Sequence, residues 1–525
     1  MAMAGQQRGT TTTGRQRIER IGGLILHASL WLALLLPAWA HLARGWVPWF
    51  DSASIAARSY QELTGPLVLV GPFSVASHGS TLVSSPGPLE FLLLSIPTVI
   101  SPLAGPLLGA AALVALLGSL VIEAGRSAAR LPGAVAAFAA VILTLCSAPV
   151  IGASPIWNPD LGAMALMAAM ACAWRSTTGS VVWAPLTVAT ASLAAQCHSA
   201  FLIPAIFVGL VGLGTGLVRS RRRLALAVWA LVVFAACWVL PLIDLIGGSR
   251  NLVAIASSGS TQSSLGVLFG LRGLTRIFWG LPLPLVSYQP AQWAFTTATS
   301  WVGGVIGILV MLGLTASHLK AHHRSLAGLG AVVLAASIGL AAALAIIPTN
   351  RFLVVAYVDL AFWPISAMAW LFIAGTAARS LVLGASGRHV ARRLESSTRI
   401  VTIGGVGACV ALAGVAAVGM ARIEPTGPGT TAMARSAVSI AHAIEARVPK
   451  GRVNLNITGP AGSSTILGDT LTIAYVLHVD GWSPGLPTLA ANPMGPDYRW
   501  LRGSPLATVV IGPASEHAAI TIAIP

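Results

Sequence analysis

The chain has 525 residues, of which 55% are hydrophobic and 9% charged, and its mean hydropathy is +0.81. Such a balance excludes a soluble globular enzyme and a disordered protein and marks a polytopic membrane protein. The formal charge of +16 could point to nucleic acid, but the basic residues fall in short clusters between apolar runs, where they read as topology signals, and no nucleic-acid partner is expected.

Crossing a hydrocarbon layer takes about 20 apolar residues as a helix, whereas barrel strands would alternate polar and apolar residues. The expected fold is therefore an α-helical polytopic membrane bundle. The tail 1–20 carries Arg8, Arg15, Arg17 and Arg20 and reads as cytoplasmic, so the first span, Ile21 to Ala43, runs outward. That run is too long for the apolar region of a signal peptide and reads as a signal anchor. Further apolar runs follow at about 131–151, 161–175, 181–198, 200–218, 223–243, 301–318, 325–347, 352–376 and 400–421. The stretch 89–125 fits two short spans, or one span with a re-entrant or interfacial helix. Parity favours a single net crossing if Arg126 and Arg130 are cytoplasmic, giving about eleven crossings in all. Every second connection is then basic, and the outer loops are 44–88 and 244–300.

The membrane domain, 21–421, gives way to a mixed sequence at 422–525. Helices at 431–447 and near 467–479, with strands at "RVNLNIT", "ATVVIGP" and "AITIAIP", predict a small C-terminal extracytoplasmic α/β domain. The five cysteines, Cys146, Cys172, Cys197, Cys237 and Cys409, lie in or at the ends of apolar runs, and none is placed for a disulfide outside the membrane.

The first outer loop places Asp51 and Glu62 beside Trp49, Phe50 and Tyr60, in a chain with only 15 acidic residues. Turn residues from Gly65 to Pro88 make it an ordered loop. Asp51 fits either an interfacial acid that is solvated or caps the helix "SASIAARSYQEL", or a base or metal ligand at the membrane edge. Other acids, Glu90, Asp160, Asp244 and Asp359, also lean outward, and acids contribute little to insertion. The remaining outer connections supply Asn158 and Asp160 in "SPIWNPDL", Gln196 and His198 in "AQCHSAF", Asp244 and Asn251 in "LPLIDLIGGSRNL", and Asn350 and Arg351 in "IPTNRF". Polar groups so close to lipid face a bundle interior, a water-filled cavity or one another, although headgroup solvation or capping accounts for each one singly. In "LGVLFGLRGLTRIFWGLPLPL", Arg272 and Arg276 stand four residues apart, so one helical face offers two guanidiniums to phosphate oxygens or to ordinary headgroups. No Walker loop, dinucleotide fingerprint, HExxH or CxxC motif occurs.

The order of "FDSASIAARSYQ", "LVGPFS", "SSPGPLEFLLL", "WNPDLGAM", "AQCHSAFLIP" and "WVLPLIDLIGGSRNL" resembles that of actinobacterial multi-spanning proteins similar to the GT-C glycosyltransferases, well over about 22–280 and in layout beyond. The resemblance implies a glycosyltransferase of the plasma membrane. It would move a hexosyl or pentosyl group from a polyprenyl-phosphate donor, arabinofuranose donors included, to a cell-envelope glycan or lipid acceptor on the extracytoplasmic side. It further implies that Asp51 is the general base or orients the acceptor hydroxyl. Direct displacement at the anomeric carbon would invert it. The lipid-phosphate leaving group would find cationic neighbours in Arg272, Arg276, Arg351 or Arg58, with Glu62, Glu90, Asn158, Asp160 and His198 at the substrate. A divalent cation, magnesium or manganese, would share the phosphate charge on Asp51 with Glu62 or Glu90. Trp46, Trp49 and Trp157 read as members of an interfacial aromatic belt ahead of sugar-stacking platforms. Ser85 stands where such relatives often carry His before Pro-Gly-Pro, and no Asp-x-Asp occurs. Two other classes stay in view: a lipid or polysaccharide transporter, and a non-catalytic envelope scaffold on the same fold.

Overall fold

A computed structural model describes residues 6–74, 77, 82–148, 150–257, 263–279, 300–349, 355–384, 388–425, 429–457, 464–487, 492–494, 507–511 and 520–523. The helices of seven residues or more, in chain order, are α1 (Gln6–Ala43), α2 (Asp51–Thr64), α3 (Leu89–Ile100), α4 (Gly105–Ser147), α5 (Asn158–Ser176), α6 (Trp183–Cys197), α7 (Leu202–Arg219) and α8 (Arg223–Gly247). There follow α9 (Asn251–Ser257), α10 (Val267–Trp279), α11 (Trp301–Lys320), α12 (Arg324–Ala345), α13 (Phe362–Gly384), α14 (Arg388–Arg422), α15 (Thr430–Glu445) and α16 (Ser464–Val479). The architecture is an α-helical bundle. Among the described residues, eight helices are long and apolar enough to cross a membrane: Gln16–Ala43, Gly105–Ser147, Ser199–Arg219, Arg223–Gly247, Trp301–Lys320, Arg324–Ala345, Tyr357–Leu381 and Thr402–Arg422.

Eight differs from the expected eleven for local reasons. The 43 residues of α4 are not one rod: Ala129 and Arg130 leave helical geometry, Arg130 at φ 53°, just before Pro132. Proline restricts the residue ahead of it and removes an amide donor, so a break here follows from the sequence. The two arms fold back on each other, since a Cβ on Gly125 would lie 2.3 Å from the Gly133 carbonyl oxygen, and one on Gly118 would lie 3.3 Å from Val141. Helix α5 has the length of a span, but Asn158, Asp160 and Arg175 at its two ends lower its hydropathy, and α6 has only 15 residues. Within 89–125 the structure contains α3, whose 12 residues reach only about 18 Å, and then the first arm of α4.

Helix α5 is the centre of the bundle. Every residue from Asn158 to Ser176 except Arg175 is buried, as expected of a helix apolar all round. Its small residues let neighbours approach closely: a Cβ on Gly162 would meet the Phe201 ring at 2.6 Å. Because α5 begins at Asn158, its first turn carries Asn158 and Asp160 into the interior along with it.

At the C-terminal end, β1 (Arg452–Ile457), β2 (Ser483–Gly485), β3 (Ala507–Ile511) and β4 (Ile520–Ala523) form a sheet in the order β2-β1-β3-β4. Strand β1 is parallel to β2 and β3, with Val453 opposite Ala507, while β3 and β4 are antiparallel with Ile511 opposite Ile520. Ala53, Ala56 and Ala57 of α2 share a core with Ile440, Ile444, Val453, Tyr475 and Trp482, so the first loop and the C-terminal elements pack as one unit. Trp49 Nε1 donates to Asp469 at 3.2 Å, and the Tyr475 hydroxyl donates to the Pro102 carbonyl at 2.6 Å. All five cysteines are free thiols, as their positions in apolar runs predict.

Candidate functional site

Asp51 opens α2, but it does not cap it. The Ser52 hydroxyl takes the Trp49 amide at 3.1 Å instead, and the Asp51 carboxylate turns away to accept a hydrogen bond from Trp157 Nε1 at 3.2 Å. Phe50, the residue before it, sits at φ 56° and ψ −123°. A bulky residue at positive φ is strained, which requires the surrounding packing to hold it, and the strain fixes the direction in which the following carboxylate leaves the backbone.

Around that carboxylate the structure gathers groups from distant segments. The Trp157 ring meets Tyr357 edge-on with centroids 5.5 Å apart, and the Tyr357 ring lies 5.2 Å from His198. His198 packs edge-on against Phe201, and its Nδ1 accepts the Ala200 amide at 3.2 Å. Asn158 Nδ2 donates to the Cys197 carbonyl at 2.8 Å, which ties the start of α5 to the end of α6. Glu90 lies near enough to Cys197 for their charges to interact. Asp51 and His198 thus fall in one neighbourhood, linked by Trp157 and Tyr357, and Asn158 and Glu90 adjoin it through Cys197.

Burial sets the protonation of these groups. It pushes the Asp51 carboxyl up to about 6, with the Trp157 hydrogen bond acting in the opposite direction. Burial also pulls His198 down to about 4, so its imidazole is neutral at pH 7 and can accept or donate one hydrogen bond but carries no charge. Glu90 and Asp160 are 0% exposed, and neither carboxylate has a hydrogen-bond partner among the described residues.

Other predicted residues separate from this group. Glu62 lies eleven positions along α2 from Asp51, about 16 Å of helix, too far for both to hold one cation. Burial pushes its carboxyl up to about 7 against the Val68 amide and the Arg58 guanidinium. Among the described residues one group of three potential ligands, His442, Glu445 and Asp480, brings its atoms within 4.8 Å of one another, and it belongs to the C-terminal elements. The Asp51 oxygen meets an indole N–H, and among the described residues no group of three potential metal ligands includes Asp51. Arg272 is exposed on α10, whereas Arg276 turns inward to Phe362, 6.0 Å from its ring centroid, and toward Asp359. The pair therefore does not present two guanidiniums together. Arg351 and Asn350 lie outside the described residues.

The tryptophans also depart from expectation. Trp46 and Trp49 are buried, Trp49 bonding Asp469, so both are packing residues of the protein and not members of a lipid-facing belt. Asp244 and Asn251 are structural as well. Asp244 accepts the Ser249 and Asn251 amides at 2.7 and 2.8 Å, and Asn251 clamps Ser84 and Ser85 through hydrogen bonds of 2.8 to 3.1 Å. Ser85 is therefore a backbone anchor of the first loop.

Sequence reasoning missed Tyr357, the ring that joins Trp157 to His198. Its signal was scarcity: the chain has five tyrosines, and this one precedes Asp359 by two residues at the edge of an apolar run. No protein family matches the chain, and no curated protein matches it as a relative.

Proposed function

We propose that the protein is a membrane glycosyltransferase of the GT-C type. It would transfer a sugar from a polyprenyl-phosphate donor to a cell-envelope glycan or lipid acceptor on the extracytoplasmic face, with inversion. The carrying observation is the Asp51 carboxylate, oriented by Trp157 and Phe50, raised to about 6 and surrounded by Tyr357, His198 and Asn158. A base with a value near the working pH is ionised at pH 7 yet basic enough to take a proton as it is released. In this reading the acceptor oxygen attacks the anomeric carbon and its proton passes to Asp51. The bond from the anomeric carbon to the phosphate oxygen breaks, and polyprenyl phosphate leaves with the electron pair. Neutral His198 and Asn158 would bind sugar hydroxyls, and Arg276 or Arg351 would meet the phosphate.

Eleven crossings follow when both arms of α4 are counted and α5 and α6 are added, with the N-terminus inside and the C-terminal α/β domain outside. Arg126 and Arg130 at the hairpin tip support this sidedness. Arg130 pairs with Glu19 of the N-terminal segment at 3.5 Å, so two basic regions share one end of the bundle.

A second reading, a transporter, draws support from buried oxygens of Glu90, Asp160 and Asp359 that accept no hydrogen bond among the described residues, since ionisable groups inside a bundle also mark ion and substrate pathways. One experiment weighs both. Purified protein in proteoliposomes receives polyprenyl-phosphate sugars labelled in the sugar, together with acceptor glycans. The enzyme reading expects labelled product that disappears in Asp51→Asn. Donor movement across the bilayer with no product in either protein would favour the transporter.

A further inference from the structure

Helices α1 and α14 end side by side. His41 Nε2 reaches the Met420 carbonyl at 3.2 Å, and Arg44 donates to the Ala40 carbonyl at 3.0 Å and to the Ala421 carbonyl. These are last-turn carbonyls, the groups that a helix C-terminus leaves without internal partners. Arg44 Nη2 also donates to His41 Nδ1 at 2.8 Å. Because a guanidinium only donates, His41 Nδ1 must accept and the imidazole proton sits on Nε2, directed at Met420. The negative ends of both helices are thereby neutralised from within the protein.

Beyond this seam lies a cavity of about 730 Å³ lined by His41, Arg44, Arg422, Glu424, Thr431 and Arg435. Its one acid is already engaged. Glu424 accepts the Gly429 amide at 2.6 Å and the Thr431 amide at 2.7 Å, so an internal carboxylate occupies the start of α15. Three guanidiniums against one carboxylate leave two uncompensated positive charges in the lining. Arg435 acts on Glu424 through space, and among the described residues no hydrogen bond fixes the guanidinium of Arg422 or of Arg435. The three arginines come from the ends of α1 and α14 and from the first turns of α15, so the fold has brought them together across nearly 400 positions, from Arg44 to Arg435.

We propose that this cavity binds the phosphate group of an anionic lipid headgroup. Two membrane-crossing helices end at it, which sets it at headgroup depth. Guanidinium forks match phosphate oxygens in pairs, and the forks of Arg422 and Arg435, which line one cavity, can serve one phosphate group together. The volume falls in the range of sites for molecules of headgroup size, well above what inorganic phosphate fills. The site shares no residue with the Asp51 neighbourhood and does not depend on the enzyme reading.

The test uses the full-length protein in detergent and native mass spectrometry after exchange into phosphatidylglycerol or phosphatidylcholine. The wild type should keep one phosphatidylglycerol under conditions that strip phosphatidylcholine. The Arg422→Gln, Arg435→Gln double variant should lose at least tenfold of that retention, and Arg422→Lys, Arg435→Lys should fall between, which separates lost charge from lost folding. Asp51→Asn should retain lipid as the wild type does. Equal retention of the two lipids, or unchanged retention in the double variant, would overturn the proposal. Displacement of bound lipid by millimolar glycerol phosphate would assign the cavity to a soluble phosphate ester and overturn the lipid assignment.

Discussion

The two ends of the bundle treat their acids differently. At the hairpin tip of α4, Glu123 meets Arg126 at 2.8 Å and His27 at 3.2 Å, and Glu19 meets Arg130 at 3.5 Å. At the other end, Asp51 is held by a neutral indole, and Glu90 and Asp160 are buried with no partner among the described residues. A buried carboxylate without a cation costs free energy that an exposed pair does not. The acids at the first end are paired with cations, and the proposed function assigns the unpaired Asp51 at the second end to the transfer step.

Three substitutions press on that contrast. Asp51→Asn has the largest expected effect: loss of a general base lowers transfer by roughly 10²- to 10⁴-fold. The same change should raise thermal stability. The folded-state value of Asp51 lies above its ordinary value, so the folded state binds more protons between about 4 and 6. Its stability contribution therefore falls as pH rises through that window, and an uncharged Asn removes a penalty of up to roughly 3 kcal/mol at pH 7.5. A detergent melting curve for the variant that falls well below the wild type would show that Asp51 is structural.

Asn251→Ala comes next, because it releases Ser84 and Ser85 and leaves buried backbone groups without partners. A loss of about 1–3 kcal/mol is expected, read as earlier proteolysis of the first loop at unchanged bundle helicity. Arg126→Gln at the paired end should have the smallest effect. An exposed ion pair three residues apart contributes less than about 1 kcal/mol, and transfer should stay within twofold of wild type. If Arg126→Gln and Asp51→Asn depress transfer equally, the contrast between the ends is lost.

Eight span-length helices were readable because hydropathy reports on apolar length, and the break in α4 was marked by Arg130 and Pro132. Strand β2 was not readable, since Ser-Pro-Gly has the composition of a turn and becomes a strand only by pairing with β1. The same limit governs the site. Asp51 stood out by scarcity, and Asn158 and His198 by polarity next to lipid. Their joint placement depends on Tyr357, and the arginine cavity on three residues that chain order keeps apart, so only packing could reveal either. Glu62 was misjudged as a neighbour of Asp51 because closeness in sequence along a helix becomes distance in space.

The pH dependence of the transfer step in wild type and Trp157→Phe addresses the central claim most directly. With Asp51 as the base, the wild-type rate should rise with pH along a limb centred near 6. Removing the indole donor, which favours the charged carboxylate, should move that limb to higher pH. A wild-type rate that is flat between pH 5 and 8, or a limb that stays in place without the indole, would contradict the account.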